Sequence, residues 1–191
     1  GLKAVMLASQ AIQVSDANIV IAGGFENMSQ APYLIPKART GYRLGHGNLI
    51  DSMIFDGLWD VYNDIHMGSC AEICASDRDY SISDQNDFAK ESYRRAIDAQ
   101  KSGAFNNEII SIDVKNKNNT ITFNDDEEPE KVNFEKMDTL KPVFKEDGTI
   151  TAANASKIND GAACLLLMSE YKASELGFKP LVRIVSQSSA A

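Results

Sequence analysis

The sequence predicts an α/β domain interrupted by an inserted subdomain, and three observations predict it. Ala4, Leu7, Ala8, Ala11 and Ile12 recur at helical spacing and lead into the β-rich run Ala17-Asn18-Ile19-Val20-Ile21-Ala22. Helix followed by buried strand is the grammar of α/β proteins. The same grammar returns near residue 150, where Ala162–Met168 reads as a second buried strand and Ser169 stands ready to cap a helix. Between them, residues 27–152 follow a different pattern, so the α/β segments are 1–26 and 153–191.

Taken in order, residues 2–13 form the first helix. The strand after it is closed by Gly23-Gly24, expected as a tight exit. Residues 25–65 mix Met, Pro, Tyr and charged side chains with little periodicity and read as a loop-rich excursion. A short helix covers 66–76. A stronger one covers 84–102, with Ser81 and Ser83 as capping candidates, Ala89, Tyr93, Ala96 and Ile97 on one face, and Gly103 behind it. Alternation at Ile110, Ile112 and Val114, and again at Ile121 and Phe123, predicts two strands about a turn at Asn118-Asn119. The acidic run Asp125 to Glu128 reads as a solvated loop. Asn159-Asp160-Gly161 reads as a turn. The last helix runs through Leu176 with Gly177 and Pro180 beyond it, and Leu181 to Val185 starts one more strand.

Composition narrows the function classes. Of 191 residues, 43% are hydrophobic and 8% aromatic, which suits a globular core rather than disorder. A net charge of −8 argues against nucleic acid as a partner, because phosphate backbones are held by clustered Lys and Arg. The longest apolar run, around Cys164–Met168, is far short of the ~20 residues of a membrane span. Cys70, Cys74 and Cys164 make an odd count without disulfide-framework spacing, as expected of a reducing compartment. The chain begins with Gly1 at the start of a helical pattern and ends on Ser186-Gln187-Ser188-Ser189-Ala190-Ala191 without a closing element, so it reads as a piece of a longer protein.

By residue type alone, two places invite chemistry. His66, Cys70 and Cys74 stand at i, i+4 and i+8, which a helix gathers on one side, as in a metal half-site or an activated thiol. Small cysteines on a helix are more commonly core residues, and a zinc site needs a further ligand from elsewhere. Thr151-Ala152-Ala153-Asn154-Ala155-Ser156 is rich in small residues, which permits close backbone packing and close ligand approach equally.

Four blocks carry a more specific message. They are Gly1-Leu2-Lys3-Ala4 with its helix, Val20-Ile21-Ala22-Gly23-Gly24-Phe25-Glu26-Asn27-Met28-Ser29, Ile65-His66-Met67-Gly68-Ser69-Cys70-Ala71-Glu72, and the run from Gly148 to Ala163. Together, and in this order, they resemble the thiolase family, and within it the mitochondrial, potassium-dependent type of acetyl-CoA acetyltransferase. The resemblance covers essentially the whole chain. It implies the layered αβαβα thiolase fold, with this chain holding part of the N-terminal domain and the inserted loop domain. It also implies a reversible condensation of two acetyl-CoA to acetoacetyl-CoA through an acyl-cysteine, in a homodimer or homotetramer, mitochondrial rather than cytoplasmic.

Residue by residue, the resemblance assigns no catalytic side chain here. Gly1 matches the glycine of the family's CxSG motif, whose nucleophilic cysteine precedes it, and the NEAF, GHP and CxGGG motifs are absent from the chain. What is implied instead is coenzyme A binding. Tyr93, Lys131, Val132, Asn133, Lys136 and Ser156 match coenzyme-contacting positions, and His66 and Met67 match the pair lining the pantetheine tunnel and acyl pocket. Two lysines in an acidic chain suit phosphates, although Arg is commoner at the Lys131 position and grips them bidentately. The alternative for Lys131 and Lys136 is to balance Glu127, Glu128 and Glu130. Potassium would be held by the Tyr93 hydroxyl and the carbonyls of Ala152, Ala153 and Ala155. A 3-ketoacyl-CoA thiolase and a non-catalytic coenzyme-binding fragment are the competing readings. The His66–Glu72 block and the potassium pattern favour the short-chain enzyme.

Overall fold

The computed structural model describes residues 1–117 and 119–190; Asn118, part of the expected turn, lies outside the described residues. In chain order the elements are α1 (Leu2–Gln13), β1 (Ile19–Asn27), β2 (Tyr33–Leu34), β3 (Ile50–Asp51), α2 (Ser52–Gly57), β4 (Trp59–Asp60), β5 (Ile65–His66), α3 (Met67–Asp77), α4 (Ile82–Lys101), β6 (Ile112–Asn116), β7 (Asn119–Phe123), α5 (Glu127–Glu130), α6 (Phe134–Met137), β8 (Asp160–Met168) and α7 (Glu170–Glu175). They fall into two compact units: Gly1–Met53 with Ile158–Ala191, and Ile54–Lys157. The excursion expected over 27–152 thus compares with a compact unit over 54–157, and residues 27–53 group with the first unit.

The first unit is built on one antiparallel ribbon, β1 against β8, in continuous register from Ile19 opposite Met168 to Asn27 opposite Asp160. Helix α1 covers one face, where Ala8, Ala22 and Leu167 form a small core with Ala4, Val5, Ile12 and Val20 against it. The alternating side chains stand on the other face, so Ile21 and Phe25 are 73% and 87% exposed, and Leu166 opposite Ile21 is exposed as well. Among the described residues of this chain only one face of the ribbon is covered, so the two-sided burial expected of both strands is not met within it.

Gly23-Gly24 is likewise no exit turn, because β1 runs through both. A Cβ at Gly23 would collide with the carbonyl of Ala163 across the ribbon, so the glycine permits close strand approach rather than a reversal. Asp160-Gly161 begins β8 instead of forming a turn. Asp160 accepts from the Ser29 backbone N–H at 2.9 Å and the Ser29 hydroxyl at 2.6 Å, and these bonds hold its carboxyl below the ordinary range. Ser169 caps α7 by accepting from the Lys172 N–H, and Gly177 follows at φ +72°, as the sequence predicts. Leu181 to Val185 forms no strand; Leu181, Val182 and Val185 are exposed and pair with no neighbouring strand among the described residues. Alternation alone does not make a strand without a hydrogen-bonding partner.

In the second unit, α4 carries a full capping box. Ser81 Oγ accepts from the Asp84 N–H and Asp84 Oδ2 from the Ser81 N–H, and Gly103 at φ +72° lies just past the last turn. Strands β6 and β7 form the expected hairpin. The acidic run is an exposed loop only at Asp125 and Asp126; Asp126 caps the single turn α5, which takes up Glu127, Glu128 and Glu130. Among the described residues no helix is long and apolar enough to cross a membrane.

Candidate functional site

Helices α3 and α4 of the second unit anchor the segment 142–157. That segment doubles back on itself, with Val143 N–H donating to Ile150 O at 3.0 Å and Gly148 N–H to Lys145 O at 3.0 Å. Glu72 of α3 is buried and grips it. Its carboxylate accepts from Thr149 N at 2.8 Å, Ile150 N at 2.8 Å and Thr149 Oγ1 at 3.1 Å. Burial disfavours that charge, but the bonds from Ile150 and Thr149 outweigh it and hold the Glu72 carboxyl below its ordinary value. Asn86 of α4, also buried, accepts from Asn154 Nδ2 and donates to Asp138, which Lys90 meets at 2.6 Å. Asn154 in turn donates to Thr149 O and accepts from the Thr151 N–H. Thr151 is wholly buried and Ala153 nearly so. Glu72 of α3 thus satisfies the backbone N–H groups of Thr149 and Ile150, while the backbone of 151–155 is satisfied within the segment by the Asn154 and Thr151 side chains and by Thr151 O. Glu72 and Asn86 are the residues that sequence reasoning missed. The signal in sequence was weak: a Glu within a helix reads as solvated surface until its partner far down the chain is known.

Two turns along the same face of α4 from Asn86, Tyr93 packs edge-on against Phe134 with ring centroids 6.5 Å apart, and Arg94 lies over the same Phe134 ring at 5.6 Å. Ile97, Gln100, Lys101, Pro129, Glu130, Val132 and Phe134 line a cavity of about 380 Å³ beside this cluster. Asn133 caps α6 by accepting from the Lys136 N–H at 3.1 Å, and so sets where that one-turn helix begins. Lys131 stands 3.7 Å from Glu127, both well exposed, a geometry of little energetic weight. Among the described residues Lys136 makes no ion pair. The balancing role for the two lysines thus fits Lys131 and not Lys136.

His66 serves as the N-cap of α3: its Nδ1 accepts from the Gly68 N–H at 2.9 Å, and its ring stacks on Phe144 at 4.8 Å. An accepting Nδ1 puts the proton of the neutral ring on Nε2, which is left as a donor. A Cβ at Gly68 would run into the Phe144 ring, so this glycine makes room for the stack. Met67 opens the same helix and is exposed.

Cys70 points its thiol to Asp60 Oδ2 at 3.7 Å. Burial and the Asp60 charge push the thiol up, the reverse of an activated nucleophile. Among the described residues no three His, Cys, Asp or Glu side chains gather as a metal site. Cys70 is expected to alkylate with iodoacetamide at pH 7 several-fold more slowly than the exposed Cys74, and Asp60→Asn to narrow the gap. Peptide mass mapping over time reads both rates; Cys70 reacting first would refute the assignment.

Two of the four oxygens expected to hold potassium have partners of their own. Lys157 Nζ donates to Ala152 O at 2.7 Å, and the Tyr93 hydroxyl is directed to Glu128 Oε1 at 3.5 Å. Ser156 is exposed beside this contact.

The sequence profile of "Thiolase, N-terminal domain" matches residues 1–171. The chain belongs to the thiolase family. Its mixed α/β architecture is that of the thiolase fold, as the four sequence blocks predict. Among curated proteins it is similar to a probable acetyl-CoA acetyltransferase of Dictyostelium discoideum, at 46% identity over all of this chain and 46% of the relative. It is 50% identical to an acetyl-CoA acetyltransferase of Pseudomonas aeruginosa and 47% identical to one of Yarrowia lipolytica, again over all of this chain and 49% and 47% of those proteins. The chain spans about half the length of the curated relatives it matches. Within a thiolase, the segment 142–157 and the α5–α6 cluster are two candidates for ligand contact: the first is anchored by the buried Glu72 and Asn86, the second by Tyr93 and Arg94 on the Phe134 ring.

Proposed function

We propose that the protein is an acetyl-CoA C-acetyltransferase and that this chain supplies its coenzyme A contacts. The reaction would join two acetyl-CoA into acetoacetyl-CoA, releasing CoA, by way of an acyl-cysteine. The reading gives none of Cys70, Cys74 and Cys164 the nucleophile's role, in keeping with the raised Cys70 thiol.

The observation that carries the reading is the convergence at α5–α6. Val132 lines a cavity together with Phe134, Tyr93 abuts the same ring, and Asn133 fixes the turn that carries Lys136, which makes no ion pair among the described residues. A hollow walled by Ile97, Val132 and Phe134 and edged by Lys101 and Glu130 is suited to a ligand that is part apolar chain and part polar group. The relatives named acetyl-CoA acetyltransferase support the thioester as substrate.

Contacts to a remote part of the substrate hold the ground state and transition state alike, so losing them raises KM and spares kcat. In the full-length protein, Lys131→Gln with Lys136→Gln should raise the KM for acetyl-CoA about tenfold, with kcat within about twofold, the scale of one net charge-assisted contact. Acetyl-pantetheine, which lacks the nucleotide, should barely notice the change. Equal losses with both substrates would remove the lysines from the coenzyme site. Absence of acetoacetyl-CoA formation by the wild type would remove the acetyltransferase reading itself.

A further inference from the structure

We infer that the Lys157 ammonium is a built-in monovalent cation, seated where the thiolase resemblance places potassium, and that the protein therefore needs no potassium there. The inference rests on the chain's thiolase membership and on three contacts. Lys157 Nζ lies 2.7 Å from Ala152 O and 3.5 Å from Glu128 Oε1, and the Tyr93 hydroxyl stands 3.5 Å from that same Glu128 oxygen. Of the four residues expected to ligate the ion, Ala152 thus already accepts from the ammonium, and Tyr93 reaches the carboxylate that pairs with it.

The chemistry of the replacement is close. An ammonium carries one positive charge and three donors, and it takes carbonyl oxygens as a large alkali cation does. Being covalently attached five residues beyond Ala152, it competes as an intramolecular ligand at high effective concentration. A potassium ion entering the same carbonyl would meet a like charge at close range, with Lys157 only partly solvated, so the two exclude one another.

Lys157 is accordingly a positioning residue. The turn before it is closed by Ala155 N–H to Thr151 O at 3.0 Å and pinned by Asn154. The ammonium ties that turn to α5 through Glu128. This also gives Glu128, part of a run expected to be merely solvated, a partner on each side.

The test is thermal unfolding of the full-length protein in KCl and in NaCl at equal ionic strength, for wild type, Lys157→Ser and Lys157→Arg. Wild type and Lys157→Arg should melt at the same temperature in both salts. Lys157→Ser should melt lower in NaCl and recover in KCl, with a saturable, millimolar dependence on potassium. A merely structural lysine would lower the melting point without making it choose between the two ions. Selective stabilisation of the wild type by potassium would overturn the inference, and so would a Lys157→Ser protein indifferent to the choice of salt. Melting is read without substrate, so the acetyltransferase reading can fail while this inference stands, and the reverse.

Discussion

Replacing Glu72 by Ala should destabilise the protein by about 3 kcal/mol, because it strands two backbone N–H groups that the fold keeps from water. Each buried donor left without a partner costs about 1–3 kcal/mol, and relief of the carboxylate's own burial returns part of the sum. Thr149 N and Ile150 N are those donors, with the Thr149 hydroxyl proton as a third; Gln85 Nε2, which donates to that hydroxyl oxygen at 2.9 Å, cannot replace the lost acceptor. Glu72→Gln should fall between wild type and Glu72→Ala, since its amide offers one acceptor and sets an N–H₂ against the other donors.

Acid should separate the same proteins. The Glu72 carboxyl is held below its ordinary value, so its contribution is complete above that value and is lost as pH falls through the lower folded one. Wild type should therefore lose stability below about pH 4.3 more steeply than Glu72→Gln, which has no such proton to take up. Urea midpoints at a series of pH values would show it. Parallel curves, or a loss under ~1 kcal/mol in Glu72→Ala at pH 7, would mean that solvent reaches these groups.

Gly148→Ala should cost about 2–3 kcal/mol, although the residue sits in a surface turn where substitution is usually mild. A Cβ there would land on the Glu72 carboxylate and within 3.0 Å of Lys145 O, the acceptor that closes the turn. The cost would come from the displaced clamp rather than from backbone strain. That origin predicts strong coupling: in the Glu72→Ala background, Gly148→Ala should cost under about 1 kcal/mol. Additive losses would place the damage in the turn's backbone instead.

How legible this was follows from the range of each interaction. Helices α1, α3, α4 and α7 are read from spacing and caps, which are local, and Ser81, Gly103 and Ser169 act as their positions suggest. The hairpin β6–β7 is equally local. Burial was not, because a run such as Ile19–Ala22 shows that it is apolar without showing how many of its faces are covered. The two glycines at 23 and 24 read as a turn by composition and serve as an approach point by geometry. At the site, the resemblance supplied positions while long-range contacts supplied their surroundings. Nothing local marks Glu72 as the clamp of residues 149 and 150, or Lys157 as the partner of Glu128. His66 shows both at once: a residue picked out for ligand contact spends one nitrogen on its own helix and keeps the other.

The ribbon of β1 and β8 bears on how the chain comes to be folded. Its near end is tied by Ser29 and Asp160, 131 residues apart, with a whole compact unit encoded between them. On a ribosome, β1 emerges long before its partner exists, carrying Ile19, Ile21 and Phe25 on a strand with no neighbour. Closing so long a loop is entropically slow unless the intervening stretch has already collapsed and drawn its ends together. Early condensation of residues 54–157 thus shortens the wait, and slow condensation leaves an apolar edge open to any other nascent chain nearby.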